Sequence, residues 1–314
     1  MQIGILGYGN QSKKIIRILL KKKISKIIIY KKSPHKIIKN KKIQTTNSLK
    51  DLDKIDIIFI CSPSTTHYKY IKYFINKAKY IFCEKPGLTN MNEWSYLDKL
   101  SNTNKKKLYF NFNYHFSNYF KNIDKELQNT KNGTIINLSF YASHGLAFKN
   151  KRKIKKGNIF ENIYGNLGVH YINFFLKSLK DIKIIKSHSM SVAKKNMDTS
   201  FIYFKSKKVF GNLFLSYASV AYKFAIIHFS NCIIIFDNDK IKKFYPRDVY
   251  SKNGLFITPK QKIILKGNKN HIKKSLELSI KFFLGIIEKN NFFSLKNFNL
   301  AINSAKILIK NIKK

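Results

Sequence analysis

Short continuous apolar runs alternate with helically spaced apolar positions through the first third of the chain. Ile3, Ile5 and Leu6 form the first run, broken by Gly7-Tyr8-Gly9. Ile15, Ile16, Ile18, Leu19 and Leu20 then give one face of a helix, and Ile27-Ile28-Ile29-Tyr30 reads as the next strand. A third run, Ile55 to Cys61, ends in Ser62-Pro63-Ser64, followed by Tyr70, Ile71, Phe74 and Ile75 at helical spacing. A strand from Tyr80 to Cys83, a helix near Asn92 to Leu100 and a strand from Lys107 to Phe112 complete the pattern. Strands apolar on both faces, alternating with helices, predict a doubly wound parallel sheet.

After about Asn118 the texture changes. Phe120, Ile123 and Leu127 mark an amphipathic helix, and Thr134 to Tyr141 alternates like a half-exposed strand. Lys149 to Lys156 reads as a basic loop and Leu167 to Leu179 as a helix. Strands are expected over Ser200 to Phe204, Val209 to Ser216, Phe224 to Phe229 and Ile233 to Phe236, and helices near Ile272 to Ile287 and Asn297 to Ile312. This is the pattern of a largely antiparallel sheet with helices on one face. The expected division is a dinucleotide-binding domain over 1–117 and an α+β domain over 118–314, with the apolar face of the Ile272 to Ile287 helix laid on the latter.

Composition narrows the class. The 314 residues, 44% hydrophobic and 14% aromatic, suffice for one or two packed domains. No run of about 18 apolar residues occurs, so no membrane span is expected. The start runs straight into a strand and a turn without a secretory leader. Cys61, Cys83 and Cys232 are odd in number and form no CxxC pair, which reads as reduced thiols in a cytoplasmic protein, and no metal site is read. The net charge is +45, from 61 basic and 16 acidic residues. A nucleic-acid surface uses arginine for bidentate contacts, yet only Arg17, Arg152 and Arg247 are present and the lysines are spread throughout. Abundant Lys, Ile, Asn, Phe and Tyr with scarce Gly, Pro, Ala, Arg and Trp are the mark of an AT-rich genome. Specific nucleic-acid binding is therefore the weaker reading. The charge favours anionic small molecules.

Five stretches carry candidate chemistry. Gly7-Tyr8-Gly9-Asn10-Gln11-Ser12 is GxGxxS between a strand and a helix. The first glycine permits the tight turn, the second lets backbone approach a pyrophosphate, and Ser12 is small enough for close helix–strand packing. The helix start offers unpaired N–H groups to phosphate. The second strand ends in Lys31-Lys32-Ser33, where an NAD site would carry a carboxylate for the ribose 2′-hydroxyl. That favours NADP over NAD. Ser62, Pro63, Ser64 and His67 follow a buried strand at its carboxyl end, where such sheets bind ligands; an ordinary loop with an exposed His67 is the competing reading. Glu84-Lys85-Pro86 follows the next buried strand, so Lys85 would face the reactive part of the same cofactor. Further on, Asn166 and His170 lie four apart on a helix, and His170 is a candidate proton donor or acceptor or else a core histidine.

Together the stretches GYGNQS, ICSPSTTHYKY, FCEKPGLTN, NFNYHF and GNLGVHYINFF, with a closing SIKFFLGIIEKNNFFSL, resemble the Gfo/Idh/MocA family. The resemblance implies a Rossmann domain and a second domain with an open sheet for substrate binding and oligomerisation. It also implies NAD(P)-dependent hydride transfer at a sugar, nucleotide-sugar or polyol carbon. It assigns Lys85 beside the nicotinamide and substrate hydroxyl, and His170 as the acid/base residue. The chain departs from the pattern at Asn166, where the family often has aspartate, and at His115, where arginine is common. Asparagine cannot exchange a proton as a carboxylate does. A cofactor-binding or regulatory protein on the same fold is the alternative to an enzyme.

Overall fold

The computed structural model describes residues 1–31, 39–145, 163–192, 197–207, 209–238, 240–245, 250–258, 260–265 and 271–312. The chain forms two compact units, Met1–Phe116 with Lys273–Ile309, and Ser117–Ile272 with Lys310–Lys314.

In the first unit β1 (Gln2–Leu6), β2 (Lys26–Tyr30), β3 (Ile43–Thr46), β4 (Ile57–Ile60), β5 (Tyr80–Glu84) and β6 (Leu108–Asn111) make one sheet in the order β3-β2-β1-β4-β5-β6. Every pairing is parallel. The strand order reverses between β1 and β4, the switch point where open α/β sheets leave a crevice at their carboxyl ends. Helix α1 (Asn10–Leu19) buries Ile15, Ile16 and Leu19 on one face, as the helical spacing requires. Helix α2 (His67–Phe74) follows β4. Helix α3 (Met91–Asp98) starts at a reciprocal cap, with Asn90 accepting from the Glu93 N–H and Glu93 reaching back. The short α4 (Asn102–Lys107) leads into β6.

The two closing helices differ from the expected division at 117/118. Helix α7 (His271–Glu288) and most of α8 (Leu295–Ile312) belong to the first unit. Leu276, Ile280, Phe283 and Leu284 join the core of the parallel sheet. The Phe283 ring lies 5.2 Å from both Phe59 and Phe82 and stacks on Phe293 at 5.3 Å. Amphipathic spacing says which helix face is apolar, not which sheet it will cover.

The second unit has α5 (Asn118–Leu127) and α6 (Val169–Leu179). Its strands are β7 (Ile135–Ser143), β8 (Lys183–Met190), β9 (Thr199–Ser206), β10 (Val209–Ser216), β11 (Tyr222–Phe229), β12 (Ile233–Asp237), β13 (Lys240–Phe244) and β14 (Gln261–Leu265). They run in the order β14-β13-β12-β11-β7-β10-β9-β8. Only β7 and β10 pair in parallel; the other neighbours are antiparallel. One face carries aromatic packing, with Phe175 4.9 Å from Phe140 and 4.7 Å from Phe204, and Phe120 4.7 Å from Phe174. The other face exposes Tyr141, Tyr203, Phe210 and Tyr222. The expected loop over 149–156 lies outside the described residues. No helix among the described residues is long and apolar enough to cross a membrane.

Candidate functional site

Three turns leave the carboxyl ends of β1, β4 and β5, neighbours in the sheet. Gly7 has φ +92°, and a Cβ there would stand 2.9 Å from Ser62 Cα and 3.0 Å from Ser62 N. The β1 turn therefore packs backbone to backbone on the β4 turn, which only glycine permits. Gly9 is the reverse case, exposed, with no described atom within 4 Å of where a Cβ would sit. It caps α1 without a side-chain hydrogen bond, so the first N–H groups of that helix remain available to an anion. Asn10 is exposed beside it. Ser12 is fully buried and donates its hydroxyl to the Gly9 carbonyl at 2.9 Å, tying turn and helix together. A close approach at Gly9 and a free helix start are what a dinucleotide pyrophosphate needs, so the residues present fit that group.

At the end of β2 the Lys31 N–H bonds to Thr46 O at 2.9 Å. Its buried Nζ makes no hydrogen bond among the described residues. That Nζ lies 5.6 Å from the centre of the Tyr8 ring, and Lys13 Nζ lies 5.1 Å from the same ring. Tyr8 thus stands among ammonium groups, an arrangement its ring quadrupole favours. Lys32 and Ser33 lie outside the described residues.

The β4 turn holds Ser62, exposed Pro63 and a 3₁₀ turn over Ser64–Thr66, with Thr66 Oγ1 2.7 Å from Ser62 Oγ. His67 is buried, with 1% of its surface accessible, which corrects the reading of it as an exposed loop residue. Its Nδ1 lies 2.8 Å from Pro86 O and its Nε2 3.0 Å from Ser62 O. Burial lowers its pKa and nearby Lys85 adds to this, while the two backbone contacts act the other way.

The β5 turn carries Glu84, Lys85 and Pro86, with a cis Lys85–Pro86 peptide. Glu84 is buried and its Oε1 accepts from Gln11 Nε2 at 3.0 Å and Asn111 Nδ2 at 2.8 Å. Asn111 Oδ1 in turn accepts from Ser279 Oγ at 2.7 Å, which meets the Tyr109 hydroxyl at 2.8 Å. Gln11 and Glu84, expected among cofactor-lining residues, thus spend these polar atoms on each other. Burial raises the Glu84 pKa, opposed by the bonds from Asn111 and Gln11 and by Lys85. Burial brings Lys85 down to about 8, against the upward pull of Glu84. Asn111, Ser279 and Tyr109 were missed from the sequence. Asn111 is the lone amide within the apolar run from Leu108 to Phe112, and that was the available signal.

In the second unit His170 is 5% exposed on α6, whereas Asn166 is exposed. Tyr164–Gly168 forms a π turn, which inserts an extra residue into the helical circuit and shifts what four-residue spacing brings together. His115 sits half-buried in the 3₁₀ turn Asn113–Phe116 of the first unit.

A parallel sheet in this strand order, with a glycine turn at its switch point, defines a protein of the Rossmann class joined to a second, mixed-sheet unit. Residues 1–112 match the model of the Gfo/Idh/MocA oxidoreductase family with its NAD-binding Rossmann fold. It is 38% identical over 80 residues to the uncharacterized oxidoreductase YrbE of Bacillus subtilis strain 168, covering 26% of this chain and 24% of that protein. It is 29% identical over 93 residues to inositol 2-dehydrogenase of Rhizobium meliloti strain 1021, covering 30% and 28%. The matches thus span about a quarter of the length of these curated relatives. The fold of the whole chain matches the dehydrogenase MviM of Clostridium difficile, with TM-score 0.74, 19% identity and coverage of 100% and 99%.

Proposed function

We propose that the protein is an NAD(P)-dependent oxidoreductase acting on a carbinol or carbonyl carbon of a sugar, nucleotide-sugar or polyol-like substrate. The observation that carries this reading is the meeting of the glycine turn with the Ser62 and Lys85 turns at adjacent strand ends, in a region that matches an NAD-binding family model. A bound nicotinamide dinucleotide would supply the hydride-accepting and hydride-donating chemistry. Gly7, Tyr8, Gly9, Asn10 and Ser12 would hold its pyrophosphate at the start of α1, and Ser62, Pro63 and Ser64 would line it. Lys31 supports NADP over NAD, because a buried ammonium stands where an NAD site would place a carboxylate.

Oxidation of a carbinol releases a hydride and a proton, and the proton needs an acceptor on the protein. Lys85 suits that task because its pKa of about 8 leaves roughly a tenth of it neutral at pH 7. His170 is the second candidate, and Asn166 would orient a hydroxyl rather than exchange its proton. The inositol dehydrogenase relative supports a polyol, and the charge of +45 favours an anionic one. The exposed aromatic sheet face supports pairing with a second copy. Three buried free cysteines suit a cytoplasmic protein.

Absorbance at the reduced nicotinamide band tests this, using myo-inositol, aldoses and UDP-sugars with each dinucleotide. Turnover with at least one polyol or sugar is expected. In Lys31→Glu, NADPH should bind about tenfold weaker and NADH should not. Tight dinucleotide binding with no turnover across the panel would favour the regulatory reading, which the Asn166 departure supports. Saturable, steeply salt-dependent DNA binding would favour the nucleic-acid one.

A further inference from the structure

The Lys85 turn is tied to the glycine turn by two separate routes. One runs from α1 through Gln11 to Glu84, at 3.0 Å. The other runs from Gly7, packed on the Ser62 backbone, through Ser62 O to the His67 ring and on to Pro86 O. The second route depends on one side chain reaching two backbone carbonyls 24 residues apart in sequence.

We propose that His67 is a positioning residue for Lys85, its imidazole tying the Pro86 carbonyl to the Ser62 carbonyl and fixing the lysine turn against the turn on which Gly7 packs. This deepens the reading of Lys85 as the proton-handling group and rests on it. Both partners of the ring are acceptors, and a neutral imidazole has one N–H to give. The doubly protonated ring donates to both carbonyls and the neutral ring to one of them; burial and Lys85 oppose the second proton, and the two carbonyls favour it. The ring orientation is held whichever nitrogen carries the proton, because each nitrogen faces a carbonyl oxygen. An apolar side chain in this place would offer neither carbonyl a donor, and unmet buried carbonyls are costly. Without the tie the Lys85 turn can open, Lys85 gains water, and the burial that holds its pKa down is lost.

Lys85 acidity in the full-length protein reads this directly, without any substrate. The pH dependence of acetic anhydride labelling at Lys85, followed by mass spectrometry, should have its midpoint near 8 in the wild type. In His67→Ala it should rise by about one unit or more, toward the ordinary lysine value of 10.5. In His67→Gln, whose amide can donate to a carbonyl, it should return toward the wild type. A folded His67→Ala protein with an unmoved midpoint overturns the proposal, however far its melting temperature drops. Nitrogen-15 spectra of the wild-type histidines give a second arm that needs no variant. A carbonyl-bonded, slowly exchanging ring N–H is expected at His67; ring protons that exchange freely with water overturn the tie. If the Lys85 midpoint moves in His67→Ala while Lys85→Met turns over like wild type, the tie stands and the catalytic reading of Lys85 falls.

Discussion

Glu84→Gln separates charge from geometry at the lysine turn. Glu84 Oε1 accepts from Gln11 at 3.0 Å and from Asn111 at 2.8 Å, and a glutamine carbonyl oxygen can take both. What disappears is the negative charge beside Lys85, which raises the lysine pKa against the lowering effect of burial. An adjacent opposite charge shifts an ionisable group by roughly one to two units, or about 1.4–2.7 kcal/mol. Lys85 is half-buried, so solvent screening selects the lower figure. Its midpoint should fall from about 8 in the wild type to about 7. A proton acceptor works in its neutral form, so the oxidative reaction gains on the acid side. At pH 7 the neutral fraction would rise from roughly a tenth to roughly a half. Carbon-13 titration of the lysine side chains, with Lys85→Met to identify the signal, measures the midpoint. A Glu84→Gln midpoint at or above the wild-type value would refute the electrostatic account.

Two other perturbations test the frame around the site. Gly7→Ala should abolish the fluorescence change on NADPH binding and lower the melting temperature, since φ of +92° costs an L-residue about 1–2 kcal/mol before the contact with Ser62 is counted; wild-type affinity would show that the close approach is dispensable. Phe283→Ala should cost about 3–5 kcal/mol in urea unfolding, because it empties a fully buried ring position among Phe59, Phe82 and Phe293, and a loss under about 1 kcal/mol would mean that α7 does not hold the parallel sheet.

The parallel sheet was legible because β1, β2, β4 and β5 are short apolar runs, and β1, β4 and β5 are soon followed by glycine or proline. Strand β3, Ile43–Thr46, escaped because it has one apolar residue. Strands β8 and β13 escaped because lysine is everywhere in this chain and blurs their alternation. The glycine and lysine turns were legible as motifs whose residue types are dictated by backbone geometry and charge. What joins them was not. Gln11 and Glu84 are 73 residues apart, and Ser279 and Asn111 are 168 apart. Such contacts follow from strand order and helix docking, which local periodicity does not encode. His67 was read as a cofactor-lining or exposed loop residue because spacing alone does not reveal an imidazole turned onto two carbonyls.

The role proposed for Lys85 is to serve hydride transfer between a nicotinamide dinucleotide and a carbinol carbon. Deuterium transfer measures it most directly, from a substrate labelled at the reacting carbon to C4 of the oxidised dinucleotide, in wild type and Lys85→Met. Stoichiometric label in the reduced dinucleotide is expected with the wild type, and a loss of about a hundredfold or more in rate with Lys85→Met while the dinucleotide still binds. Label transfer at the wild-type rate in Lys85→Met would contradict it.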